Sequence, residues 1–197
     1  MRSSEIEYWD SVASNLVEGD GRMRDNWNKR ELLNRFLSKI SWNGKKVLEI
    51  GVGCGVSAGA LRVSLGGNWT YIGTELSPIF IKSARNSFGL NVIQADILSL
   101  PAGPFDRIVA LDSLEHINPE DRMDGYKDIV DRMNDEALLV INMPVNRSAH
   151  SRDFDHGFDL RDIAVFEDMG LSLQKYELYE HWLHDVRKLS AFVILLK

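Results

Sequence analysis

The stretch VLEIGVGCGVSAGAL, residues 47–61, decides the fold. Val47, Leu48 and Ile50 form a short apolar run around Glu49, the pattern of a strand buried on both faces. Gly51, Gly53 and Gly55 follow at every second position, and apolar residues then recur at helical spacing. Glycine weakens strands and helices alike. A cluster of three at a strand–helix junction therefore predicts a tight turn and close approach of the backbone to a ligand.

The pattern repeats outward from this stretch. Segments 45–50, 69–75, 91–95, 105–112 and 137–143 read as strands. Helices are expected from the glycine loop to about Leu65, over 77–88 with Ser77 as N-cap and Pro78 at the first helical position, near 119–133 and near 160–169. Segments 171–180 and 189–197 read as two further strands, joined by the loop HWLHDVRK at 181–188. Strands separated by helices require crossovers, which give a parallel sheet covered on both faces. The last two strands lack a helix between them and are expected to pair antiparallel. Residues 1–44 read as a helical cap. Ile6, Trp9, Val12, Ala13, Leu16 and Val17 fall on one face, and Trp27, Leu32, Leu33, Phe36 and Ile40 on another.

The 197 residues are expected to form one domain: the cap over 1–44 and an α/β core over 45–197. No apolar run approaches the roughly 20 residues of a membrane span. The segment MRSSEIEYWD carries acids and no apolar signal core. A single cysteine, Cys54, fits a reducing compartment, so a cytoplasmic location is expected. The net charge of -6 disfavours a broad nucleic-acid surface.

Ligands of such sheets bind at the carboxyl ends of the strands. The sequence places there the glycine loop, Glu75, Asp96, Asp112–His116, 144–156 and 180–188. Glu75, about 20 residues beyond the loop, is placed to accept hydrogen bonds from the vicinal hydroxyls of a ribose. Standing at a loop edge, it is expected to be dispensable for folding. Two adenosine-containing cofactors compete. A nicotinamide reading takes Gly53, Gly55 and Ala58 as G-x-G-x-x-A. It leaves little chain for a substrate domain and gives Glu49 nothing to do beside a pyrophosphate. An ammonium group would give that acid a partner.

With these residues the sequence resembles the class I S-adenosylmethionine-dependent methyltransferases. EIGVGCG (Glu49, Gly51, Gly53, Gly55) is similar to their E/D-x-G-x-G-x-G motif. YIGTELSP resembles the second motif, VIQADILSLP the third and FDRIVALDSLEHI the fourth. The resemblance covers about 45–143 and implies a Rossmann-like, doubly wound seven-stranded sheet of order 3-2-1-4-5-7-6, the last strand antiparallel. It also implies S-adenosylmethionine as cofactor, with Glu49 on the amino-acid end and Glu75 on the ribose. Leu76, Asp96 and the Ile97 N–H would face the adenine, and Asp112 would stand beside the cofactor.

The positive sulfonium makes the methyl a good electrophile. The protein must align the acceptor, exclude water and in some cases remove a proton. Candidates for that chemistry are Asp112, Ser113, Glu115 and His116, the last because a free imidazole titrates near about 6.5. By resemblance, Glu115 and His116 could instead help hold a divalent metal, and Asp112 and His156 carry suitable ligand atoms, but their spacing matches no metal signature. A polar acceptor site is expected from His150, Arg152, Asp153, Asp155 and His156, joined by His181, Trp182 and His184, with Tyr8, Trp9 and Trp27 as apolar walls.

LDSLEH replaces the N/D-P-P-Y/F of enzymes that methylate adenine or glutamine nitrogen. The expected acceptor is a small molecule, methylated on oxygen or nitrogen, with no nucleic-acid or membrane partner. RNA or protein methylation, and cofactor binding without methyl transfer, are the alternatives.

Overall fold

A computed structural model of the chain describes residues 3–18, 33–59, 69–145, 156–183 and 186–197, with the backbone alone at 17–18, 182–183 and 186–187. These residues group into two compact units, 1–96 and 97–197. Seven strands form a sheet of order β3-β2-β1-β4-β5-β7-β6.

In the first unit, helix α1 (Ser3–Glu18) and a helical stretch at 33–37 precede β1 (Lys46–Ile50). The glycine loop and the start of a helix at 56–59 lead towards β2 (Thr70–Glu75), α2 (Pro78–Phe88) and β3 (Val92–Gln94). β1–β2 and β2–β3 pair parallel, as the crossovers require. Helix α2 begins and ends by local chemistry. Ser77 Oγ accepts from the Phe80 N–H, Pro78 takes a position that needs no donor, and Gly89 at φ 62° closes the C-terminus. The amphipathic face of α1 is satisfied within this unit: Ala13, with Trp9, Val12 and Leu16, packs on Cys54, Val56 and Phe80. Trp9 is therefore a packing residue between α1, the glycine loop and α2.

The second unit holds β4 (Phe105–Leu111), a 3-10 turn (Leu114–His116), α3 (Arg122–Asp131), β5 (Met133–Pro144), α4 (Leu160–Asp168), β6 (Ser172–Leu183) and β7 (Val186–Leu196). β4 and β5 are parallel, and β7 is antiparallel to both its neighbours. Helix α4 starts with a capping box between Asp159 and Asp162. The buried Asp162 also accepts from Tyr126 Oη at 2.9 Å and pairs with Arg122, tying α3 to α4.

Two boundaries differ from expectation. β5 begins at Met133, where the preceding helix was expected to end and four residues before the expected strand start; Glu136 at φ 61° interrupts the strand without ending it. The expected loop 181–188 is mostly strand, since β6 and β7 continue in register out to Leu183 and Val186. No described helix is long and apolar enough to cross a membrane.

Candidate functional site

The glycine loop turns with φ of 72°, 56° and 88° at Gly51, Gly53 and Gly55, a region L side chains rarely enter. The glycines serve different ends. A Cβ at Gly55 would stand 2.9 Å from the Phe88 ring and 3.1 Å from Ala84 Cβ, so this position answers to packing on α2. Among the described residues, a Cβ at Gly53 would meet no atom within 4 Å, so its surroundings leave room for a ligand.

Glu75, at the end of β2, is 8% exposed and faces the loop. Its Oε2 accepts from the Gly53 N–H at 2.8 Å, and its Oε1 from the Leu76 and Ser77 N–H groups at 2.7 and 3.0 Å. Burial pushes the carboxyl up, and these three donors oppose that shift. A carboxylate offers about four acceptor positions, so about one remains on Oε2. The acid is also tied into the frame, taking backbone N–H groups of the glycine loop and of the turn that follows β2. Ser77 Oγ donates in turn to Asp10 of α1, which brings the helical cap to the start of α2.

Glu49 is 1% exposed, on β1. Its Oε2 accepts from Tyr71 Oη at 2.7 Å. Desolvation raises its pKa from 4.5 to about 8; the tyrosine hydrogen bond opposes the rise and the Glu75 charge adds to it. The folded state thus holds this proton more tightly than the unfolded chain. The resulting stability is fully present below about pH 4.5 and is lost as the pH climbs towards 8. Urea denaturation of the unliganded protein at intervals across this window should show stability falling with pH, and Glu49→Gln should flatten the profile. An equally steep fall in the variant would assign the dependence to another group.

Leu76 and Asp96 are half-buried in the same unit, Leu76 accepting from Gln94 Nε2 through its carbonyl at 2.9 Å. Ile97 belongs to the second unit, where its side chain lies against Gly125 of α3.

The second unit holds Asp112 just after β4 and links Glu115, His116 and His156. Asp112 follows β4 in a left-handed conformation, φ 54°. Its N–H donates to the Asn142 carbonyl at 2.9 Å, and its Oδ1 accepts from Asn142 Nδ2 at 2.8 Å. Asn142 Oδ1 accepts from Tyr179 Oη at 2.5 Å, which fixes the amide orientation. Asn142 and Tyr179 were not legible as site residues; nothing in the sequence distinguishes them from strand positions. The 3-10 turn sets Glu115 in the interior and leaves His116 partly exposed, its Nε2 3.9 Å from Glu115 Oε1. The His156 N–H donates to the Glu115 carbonyl at 2.9 Å, joining the end of the 144–156 connection to this turn.

The remaining expectations divide. His181 is buried inside β6 with its Nε2 3.0 Å from Ser190 Oγ, not on a loop. His150, Arg152, Asp153, Asp155, His184 and Trp27 lie outside the described residues, as does the side chain of Trp182, whose backbone pairs with Arg187. Among the described residues no group of three or more His, Cys, Asp or Glu is arranged to hold a metal.

Residues 47–136 match the family model described as a methyltransferase domain. No curated protein matches the sequence. Magnesium protoporphyrin IX methyltransferase (ChlM) from Synechocystis PCC 6803, solved with bound SAH, has a similar structure: TM-score 0.76 at 14% identity, over 99% of both chains. The N-methyltransferase NodS from Bradyrhizobium japonicum WM9, in complex with S-adenosyl-l-homocysteine, gives 0.71 at 16% identity over 98% of this chain and 97% of that one. The [4+2]-cyclase SpnF gives 0.67 at 15% identity, over 85% and 80%. At these identities the likeness is one of fold.

Proposed function

We propose that the chain, whose residues 47–136 match a methyltransferase domain, is a class I S-adenosylmethionine-dependent methyltransferase that methylates an oxygen or nitrogen of a small molecule. The observation that carries the cofactor half of this reading is the Gly53–Glu75 hydrogen bond beside an open Gly53, with Glu49 buried in the neighbouring strand. The residues fit the group. Glu49 would accept the ammonium, Glu75 the ribose, and Leu76, Asp96 and the Ile97 N–H would hold the adenine. Gly51 and Gly55 shape the loop.

S-adenosylmethionine supplies an activated methyl on a positive sulfur. The chain's own task is to align the acceptor and, for a hydroxyl, take its proton. His116 is the base in this reading, held by the 3-10 turn beside the Glu115 carboxylate, which would stabilise the imidazolium. Asp112, clamped by Asn142, would border the cofactor and the acceptor. His150, His156 and Trp182 would contribute to the acceptor site. A small acceptor is favoured by the net charge of -6 and the absence of an N/D-P-P-Y/F segment. ChlM and NodS are named for small-molecule or N-methyl transfer, which is consistent with it.

Calorimetry tests the cofactor assignment without an acceptor. S-adenosylmethionine and S-adenosylhomocysteine should bind and NAD should not. NAD binding as tight as either would overturn the proposal. A metabolite extract supplied with labelled methyl donor would then identify the acceptor.

A further inference from the structure

Glu49 on β1 stands directly opposite Gly73 on β2. Tyr71 lies two residues before Gly73 and so shares its face of the strand. The phenol runs along the strand across Gly73 and places its hydroxyl 2.7 Å from Glu49 Oε2. Only glycine leaves it this path. A Cβ at position 73 would stand 2.8 Å from Tyr71 Oη and 2.4 Å from Val52 Cγ2. Trp69, two residues before Tyr71, sets its ring edge-on against the phenol at 5.2 Å. Tyr71 and Gly73 of β2, with Trp69 just before the strand, thus form one row, arranged so that a hydroxyl reaches a carboxyl on the neighbouring strand.

We propose that Tyr71 is a positioning residue for the amino-acid end of the cofactor: its hydroxyl holds Glu49 Oε2 and so presents Oε1 to the ammonium group. This rests on the assignment of Glu49 made above. A carboxylate taken out of water needs donors or a cation. Before the ligand arrives, burial drives Glu49 towards its neutral form. The arriving ammonium favours the ionised form, and the proton leaves to solvent. Tyr71 then donates to one oxygen, lowering the cost of ionisation, and the ammonium takes the other. Among the described residues, the titratable groups facing Glu49 are Tyr71 and Glu75, both on β2; the second opposes its ionisation.

Calorimetry with two probes tests this. S-adenosylhomocysteine carries the amino-acid end, and 5′-methylthioadenosine lacks it. Tyr71→Phe should weaken S-adenosylhomocysteine about tenfold or more at neutral pH, the loss of one hydrogen bond to a charged group. Its affinity for methylthioadenosine should be unchanged. The pH above which S-adenosylhomocysteine binds tightly should also move up. Equal losses for both probes would reduce Tyr71 to a packing residue, and no loss for either would remove it from the site; both outcomes overturn the proposal. If the variant does not fold, 3-fluorotyrosine at position 71 alone keeps the shape and strengthens the donor. The S-adenosylhomocysteine profile should then move to lower pH, with methylthioadenosine unaffected, and an unmoved profile overturns the proposal. Binding of both probes by the wild type preserves the cofactor assignment in each of these cases. Binding of neither overturns that assignment together with this one.

Discussion

Replacing Glu75 by alanine should lower the affinity for S-adenosylhomocysteine about a hundredfold and make the protein less stable. Both effects come from one carboxylate. It is the ribose acceptor of the proposed site, and hydrogen bonds to a charged group contribute roughly 1.5–3 kcal/mol each. It also takes the N–H groups of Gly53, Leu76 and Ser77. Alanine leaves these donors without their acceptor, and the glycine loop loses the contact that sets it against β2. A stability loss of about 2–4 kcal/mol follows if water restores part of the bonding. Glu75→Gln keeps one acceptor oxygen and should fall between wild type and alanine in both measurements. Urea denaturation and calorimetry on the same samples separate the effects. A folded alanine variant with wild-type affinity would show that the ribose is held elsewhere.

Replacing His116 by alanine should reduce kcat by about 10²–10⁴-fold on an acceptor that must lose a proton, with S-adenosylhomocysteine affinity kept. The 3-10 turn that carries His116 is fixed at both ends. The His116 N–H donates to the Ser113 carbonyl at 3.2 Å, and Glu115 receives the His156 N–H through its own carbonyl. Loss of the imidazole should therefore leave the turn in place. Near-normal turnover by the variant on the true acceptor would leave alignment and the sulfonium as the whole of catalysis.

The elements that were legible in the sequence carry their own local chemistry. Ser77–Pro78 starts a helix by capping and by a fixed φ, whatever surrounds it. The run at 47–50 needs only its composition to be a buried strand, and the glycine loop announces a turn. The missed elements depend on distant partners. Residues 181–188 show no apolar alternation, because β6 has a neighbour on one side only and its extension is set by pairing with β7. Met133–Glu136 carries turn-forming residues, and it is a strand because Met133 pairs with Phe105. In the candidate site, the acids could be singled out because their spacing from the loop follows strand length. Asn142 and Tyr71 could not, since an amide or a phenol acquires its role only from what lies opposite. The clue to Tyr71 was Gly73, a residue that costs a strand stability unless something crosses over it.

The connection between β5 and α4 has fixed ends. At one, the Val145 N–H donates to the Leu189 carbonyl at 2.9 Å. At the other, the His156 N–H is bonded to Glu115, and Arg122 reaches the Gly157 carbonyl and the Asp162 carboxylate. The ends at Val145 and His156 are thus held by the frame itself, so substitutions between them are expected to leave that frame standing.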